Sequence, residues 1–249
     1  QINMTLVHEL THAAQDQNFD LDTLPVDDET NDDLVRALKG LVEGDATVVG
    51  YQYAYEDLMD RALRITLSQY RSGSVAGTSE ELPRYLRQSL TFPYAYGPDF
   101  VLALKKVGGG YDGVSRAFED PPCSSEQILH PERYFKVRDH PQIIELPDIL
   151  KILGSEWKSL LNNVHGEFGM TLILQEFKSD QLGNAAIDKA CDGWDGDRFW
   201  VVEKAGSVCS LWMTTWDSDK DAREFMAAYR KVLRKKHDHP EDSQEPDFS

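Results

Sequence analysis

The feature that most constrains this chain is His8-Glu9-Leu10-Thr11-His12, set in INMTLVHELTHAAQDQ over residues 2–17. Met4, Val7, Leu10, Ala13 and Ala14 recur at helical spacing, which predicts a helix with that face turned inward. Residues four apart share a helix face, so His8 and His12 can reach one metal ion. Glu9 projects about 100° further round, where a carboxylate addresses a water on the metal without ligating it. Two histidines do not complete a site, so another element must bring a further ligand to this helix.

The next predicted helix supplies one. Asn31 or Thr30 caps it, and it starts near Asp32 and runs to about Leu67, with acidic residues in its first turn that suit the helix dipole. Gly40, Gly44 and Gly50 interrupt it. Each glycine costs up to about 1 kcal/mol inside a helix, so their presence predicts close helix packing. Glu43 lies in Leu41-Val42-Glu43-Gly44-Asp45-Ala46, where an inward-facing carboxylate needs a partner such as a metal. The plainer reading is a solvated helix residue. Zinc held by three protein ligands keeps a fourth position for water and lowers its pKa to about 7. Glu9 is then the general base. Asp16, four residues past His12, is expected either to hold the ring N–H of a ligand histidine or to be a helix-end carboxylate.

Composition narrows the remaining classes. The chain has 249 residues, 41% of them apolar and 10% aromatic, enough to bury a core. A net charge of −17 offers no basic patch to replace phosphate counterions, so no nucleic-acid partner is expected. No apolar run is long enough to predict a transmembrane segment. Cys123, Cys191 and Cys209 are widely spaced; Cys191 and Cys209 could pair, or all could be free. The chain opens on Gln1 almost directly into the motif helix, so an upstream segment is expected.

Past the second helix, a loop is expected at 72–78, then helices near 79–90, 98–107 and 112–119, separated by Pro93, Pro98 and Gly108–Gly110. Residues 123–135 read as a turn-rich segment. Short helices are expected at 147–153, 166–178 and 180–191. A β-hairpin over 198–216 turns at Lys204-Ala205-Gly206, and a last helix over 219–234 starts at Asp217 or Ser218. The expected fold is α+β and predominantly helical. Residues 1–150 form a metal-binding helical part, 151–234 a smaller α+β subdomain, and 235–249 a disordered tail.

HELTHAAQDQNFDL followed by RALKGLVEGDATV resembles bacterial H-E-x-x-H proteins of the gluzincin type. The resemblance extends to CSSEQILHPERY at 123–134 and to GWDGDRF and TTWDSDKDAREF near the C-terminus, and so covers most of the chain. It implies a zinc metallopeptidase acting on a peptide or protein substrate, with Zn2+ on His8, His12 and Glu43 and Glu9 as base. It also implies a secreted or envelope location. Two departures stand out. Thermolysin-like enzymes carry an aspartate four residues after the ligand glutamate, where this chain has Thr47. Gluzincins also place a sheet before the motif helix, which here would lie upstream of Gln1.

A peptidase also needs a donor for the oxyanion of its tetrahedral intermediate. His130 and Tyr134 are the candidates, against the plainer reading of a structural Tyr–His pair in a turn. The acidic stretch Asp20–Asp33 lacks the order of ligands and the turn glycine of a calcium loop. The alternative function is a metallopeptidase-like peptide- or protein-binding module that keeps zinc for structure. Oligomeric state is not legible.

Overall fold

The computed structural model describes residues 2–73, 82–176 and 182–236. Most of the loop expected at 72–78, the first residues of the helix expected at 180–191 and nearly all of the tail lie outside these ranges. In chain order the helices of the first part are α1 (Ile2–Phe19), α2 (Asp32–Tyr55), α3 (Met59–Ser72), α4 (Arg84–Gly108), α5 (Tyr111–Glu119), α6 (Ser125–Leu129), α7 (Glu132–Phe135) and α8 (Ile149–Leu153). Then come β1 (Lys158–Asn163), α9 (Gly166–Glu176), α10 (Asn184–Cys191), β2 (Trp194–Lys204), β3 (Ser207–Trp216) and α11 (Asp219–Lys236). The fold is α+β and predominantly helical.

Asn31 caps α2, its side chain accepting from the Leu34 N–H. The helix ends earlier than its periodicity predicts: Glu56 takes φ 42°, a short turn over Glu56–Leu58 follows, and the chain resumes as α3. The bend lets α3 bury Leu63 and Leu67 in the core that α2 also faces.

The glycines of α2 serve close packing. A Cβ on Gly44 would stand 2.4 Å from the carbonyl carbon of Gly97, and one on Gly97 would stand 2.2 Å from the Gly40 oxygen. The backbones of α2 and α4 therefore touch where these residues cross. The same contact explains why Pro93 and Pro98 do not divide two helices, as expected, but lie inside the single helix α4. An interior proline costs about 3 kcal/mol or more. Burial of Phe92, Phe100, Val101 and Leu104 against α2 and α9 offsets that cost.

In α1 the face turned inward is not the expected one. Met4, Val7, His8, Thr11 and His12 are half-buried and Gln15 is buried, whereas Leu6 and Leu10 are more than half exposed. The helix lays its polar side chains on α2 and turns leucines outward.

The C-terminal part is a three-stranded antiparallel sheet in the order β1-β2-β3, backed by α9, α10 and α11. The hairpin turns on Ala205 and Gly206, both at positive φ (51° and 83°), the backbone of a tight two-residue turn. Strand β1 was not predicted, because its residues lack apolar alternation and are mostly exposed. Asp197 of β2 knits the region together. Its carboxylate accepts from the backbone N–H groups of His165 and Gly166 and from the indole N–H groups of Trp194 and Trp212.

Two buried apolar clusters result. One gathers α2, α3, α4 and α5; the other gathers α10, α11 and the sheet. Helix α9 belongs to both, giving Phe168 and Leu172 to the first and Met170 and Leu174 to the second. Polar ties reinforce the seam: Asn163 accepts from the Asp32 N–H, and Arg36 donates to the His165 carbonyl. Among the described residues no helix is long and apolar enough to cross a membrane. All three cysteines are free.

Candidate metal centre

The pairing of α1 with α2 sets His8, His12 and Glu43 face to face. His8 Nε2 lies 3.1 Å from Glu43 Oε2 and 3.1 Å from His12 Nε2, and His12 Nε2 lies 3.4 Å from Glu43 Oε2. These three atoms form a nearly equilateral triangle. Donors about 2.0–2.1 Å from a tetrahedral zinc stand roughly 3.3 Å apart, so the triangle fits that ion without rearrangement. The three side chains are each about a quarter exposed, so solvent reaches the triangle. Burial pushes the Glu43 carboxyl up, but hydrogen bonds from His12 and His8 outweigh it and hold the group at about 2. The His12 imidazole is raised by the same bond.

The orientation of His12 is fixed from behind. Gln15 Oε1 lies 2.9 Å from His12 Nδ1, while Gln15 Nε2 donates to the Val42 carbonyl at 3.1 Å and to Asp45 Oδ2 at 2.8 Å. Both amide hydrogens are thus spent on acceptors, so the amide oxygen must face the ring. Nδ1 then carries a proton, and Nε2 is the ring nitrogen turned to the triangle, where it would give up its own proton to ligate a metal. The part expected of Asp16 falls to Gln15: Asp16 instead accepts from the Leu21 N–H and closes the end of α1. Asp45, two residues past Glu43, holds the Gln15 amide in place.

Glu9 is exposed, and its charge acts on both His12 and Tyr94. Tyr94 of α4 is a member of this site that the sequence did not reveal. Its ring lies 6.5 Å from that of His8, and the Glu43 charge acts on its hydroxyl. Burial, with the Glu43 carboxylate beside it, pushes the phenol up to about 12, so it remains a donor at neutral pH.

His130 and Tyr134 are not brought to the triangle. His130 Nε2 lies 2.9 Å from Glu167 Oε1, at the seam between the two halves. The Tyr134 hydroxyl donates to the Asp120 carbonyl at 2.8 Å, and its ring packs edge-on against Phe100. Among the described residues neither shares a hydrogen bond, ion pair or ring contact with His8, His12 or Glu43. The acidic stretch at 20–33 gathers no ligand set among the described residues; Asp28 there turns back on Thr30. Asp139, Asp195 and Asp217 do converge, but without a histidine.

A family described as a domain of unknown function, DUF8575, matches residues 158–248, from the first residue of β1 through α11. That match lies wholly outside the metal triangle. No curated protein and no solved structure matches the chain.

Proposed function

We propose that the chain is a zinc-dependent metallopeptidase, with His8, His12 and Glu43 as ligands and Glu9 as general base. The observation that carries this reading is the triangle of ligand atoms, with edges of 3.1–3.4 Å and within reach of solvent. The gluzincin-like H-E-x-x-H and the glutamate on the following helix point the same way. Zinc in such a site acts as a Lewis acid on water and on the substrate carbonyl. Glu9 takes the proton of the attacking water and passes it to the leaving amine. Tyr94, still protonated, donates to the carbonyl oxygen as negative charge grows on it. Gln15 and Asp45 hold His12 in the tautomer that leaves Nε2 free.

The test is a Glu9→Gln substitution assayed on unfolded protein and peptide substrates. Removing a general base should lower the cleavage rate by about 10²–10⁴-fold while zinc content stays that of the parent. Equal cleavage by parent and variant would refute this role for Glu9. Zinc-loaded parent that cleaves none of these substrates would favour the alternative, a peptide- or protein-binding module with a structural metal.

A further inference from the structure

A cavity of about 460 Å³ opens where α4, α6, α9 and α10 meet. None of His8, His12 and Glu43 lines it. Tyr96 does, and Tyr96 and Tyr94 leave α4 about 200° apart, so the cavity and the metal triangle lie on different sides of that helix. Its size falls in the range of small-molecule sites.

The walls are sorted by chemistry. Leu129, Phe168 and Leu172 form an apolar floor. Glu167 and Asp188 supply negative charge. Glu167 is only 5% exposed; its Oε1 faces His130, while its Oε2 is buried with no hydrogen-bond partner. A buried carboxylate oxygen without a donor is costly, and Glu167 stands in the cavity wall, so a small shift of its side chain would offer that oxygen to a donor there. Asp188 is in no ion pair among the described residues. At the other end, Arg84 donates to the neutral side-chain oxygen of Gln175 at 2.7 Å and is in no ion pair among the described residues. The nearby Arg71 differs, being held by Asp99 at 2.6 Å and by the Ala95 carbonyl.

We propose that this cavity binds a small zwitterion of the dipeptide class, with its ammonium on Glu167 and Asp188 and its carboxylate on Arg84. Its side chain lies on the apolar floor. An ammonium brings three donors, which answers Glu167 Oε2. A carboxylate matches the guanidinium fork. A simple anion would leave the acidic end unanswered, and a simple amine would leave Arg84 without a charged partner. The site is independent of the metal centre.

Isothermal titration calorimetry tests this on the full chain, with and without added zinc. The probes are L-alanyl-L-leucine, L-leucyl-L-leucine and L-phenylalanyl-L-leucine, each beside its N-acetyl and C-amide forms. At least one free zwitterion should bind at one per chain. Acetylation, amidation, Glu167→Gln and Arg84→Gln should each weaken it by about tenfold or more, the scale of a charge-assisted hydrogen bond. Zinc and a His12→Ala substitution should leave it unchanged. Should Glu167→Gln fail to fold, Asp188→Asn tests the ammonium end with a less buried group. Absence of binding by every probe would overturn the proposal. So would equal affinity for the acetylated forms, or binding lost in His12→Ala.

Discussion

Two histidine–carboxylate clusters stand in this molecule, and their chemistry differs. At the α1–α2 contact, Glu43 meets two imidazoles in a half-open setting, and their hydrogen bonds hold its carboxyl at about 2. At the seam between the halves, Glu167 meets only His130, and burial raises its carboxyl. In the first cluster one atom of each of the three groups lies within 3.4 Å of the others and within reach of solvent. In the second, the carboxylate has one oxygen paired and the other without a partner. Residue type alone therefore does not mark a metal site. What marks it is the number of lone pairs brought to one point and the access of solvent to that point.

The largest effect separates the clusters directly. His12→Ala removes one of three ligands and should abolish stoichiometric zinc binding, while His130→Ala should leave zinc binding at the parental level, both measured by equilibrium dialysis. Zinc lost equally in both variants would break the comparison.

Next in size is the support behind His12. Gln15→Leu keeps bulk but removes the contact to Nδ1 and leaves Asp45 without its amide partner. Losing such a partner typically lowers zinc affinity about 10–100-fold, measurable by competition with a chelator. Asp16→Asn should leave affinity unchanged, since Asp16 serves the end of α1.

A packing change tests whether α4 sets the geometry. Gly97→Ala places a methyl against the Gly40 oxygen, so α2 and α4 must separate. Overpacking of this kind costs about 1–3 kcal/mol, read by denaturant unfolding. Because Tyr94 rides on α4, peptide cleavage should fall as well.

A last effect is a pH slope at the seam. Burial and the Arg36 charge lower His165 from 6.5 to about 3, and its ring stacks on Phe199 at 3.9 Å. The imidazole is thus neutral in the folded chain, and the unfolded chain binds the extra proton below about pH 6.5. Its contribution to stability is complete above that pH and is lost as pH falls towards 3, by at most about 1.4 kcal/mol per pH unit. His165→Phe should flatten the unfolding free energy of the apo chain over that window.

The clustering of His8, His12 and Glu43, the proposed metal ligands, was legible because it depends on local rules. His8 and His12 obey helical spacing, Glu43 is a carboxylate in an apolar stretch, and Asn31 caps the helix that carries it. The hairpin was legible from its β-rich arms and its turn. Tyr94 was not, because Pro93 and Pro98 read as breaks and hid the helix that presents it. Burial of Phe92, Phe100, Val101 and Leu104, with the close approach of Gly97 to Gly40 and Gly44, lets that helix run on. Gln15 and Asp45 were missed because their roles exist only once α1 and α2 pack. A polar residue three places after His12 was nevertheless a signal. The inward face of α1 was misjudged for a related reason: apolar periodicity favoured Leu10, but the helix is oriented by the polar groups it shares with α2.

The most direct test of the account is metal content. Protein purified without added metal, and His8→Ala prepared alongside, would be measured by elemental analysis. The account predicts about one zinc per parent chain and none in the variant. No zinc in either protein, even after zinc is supplied, would contradict it.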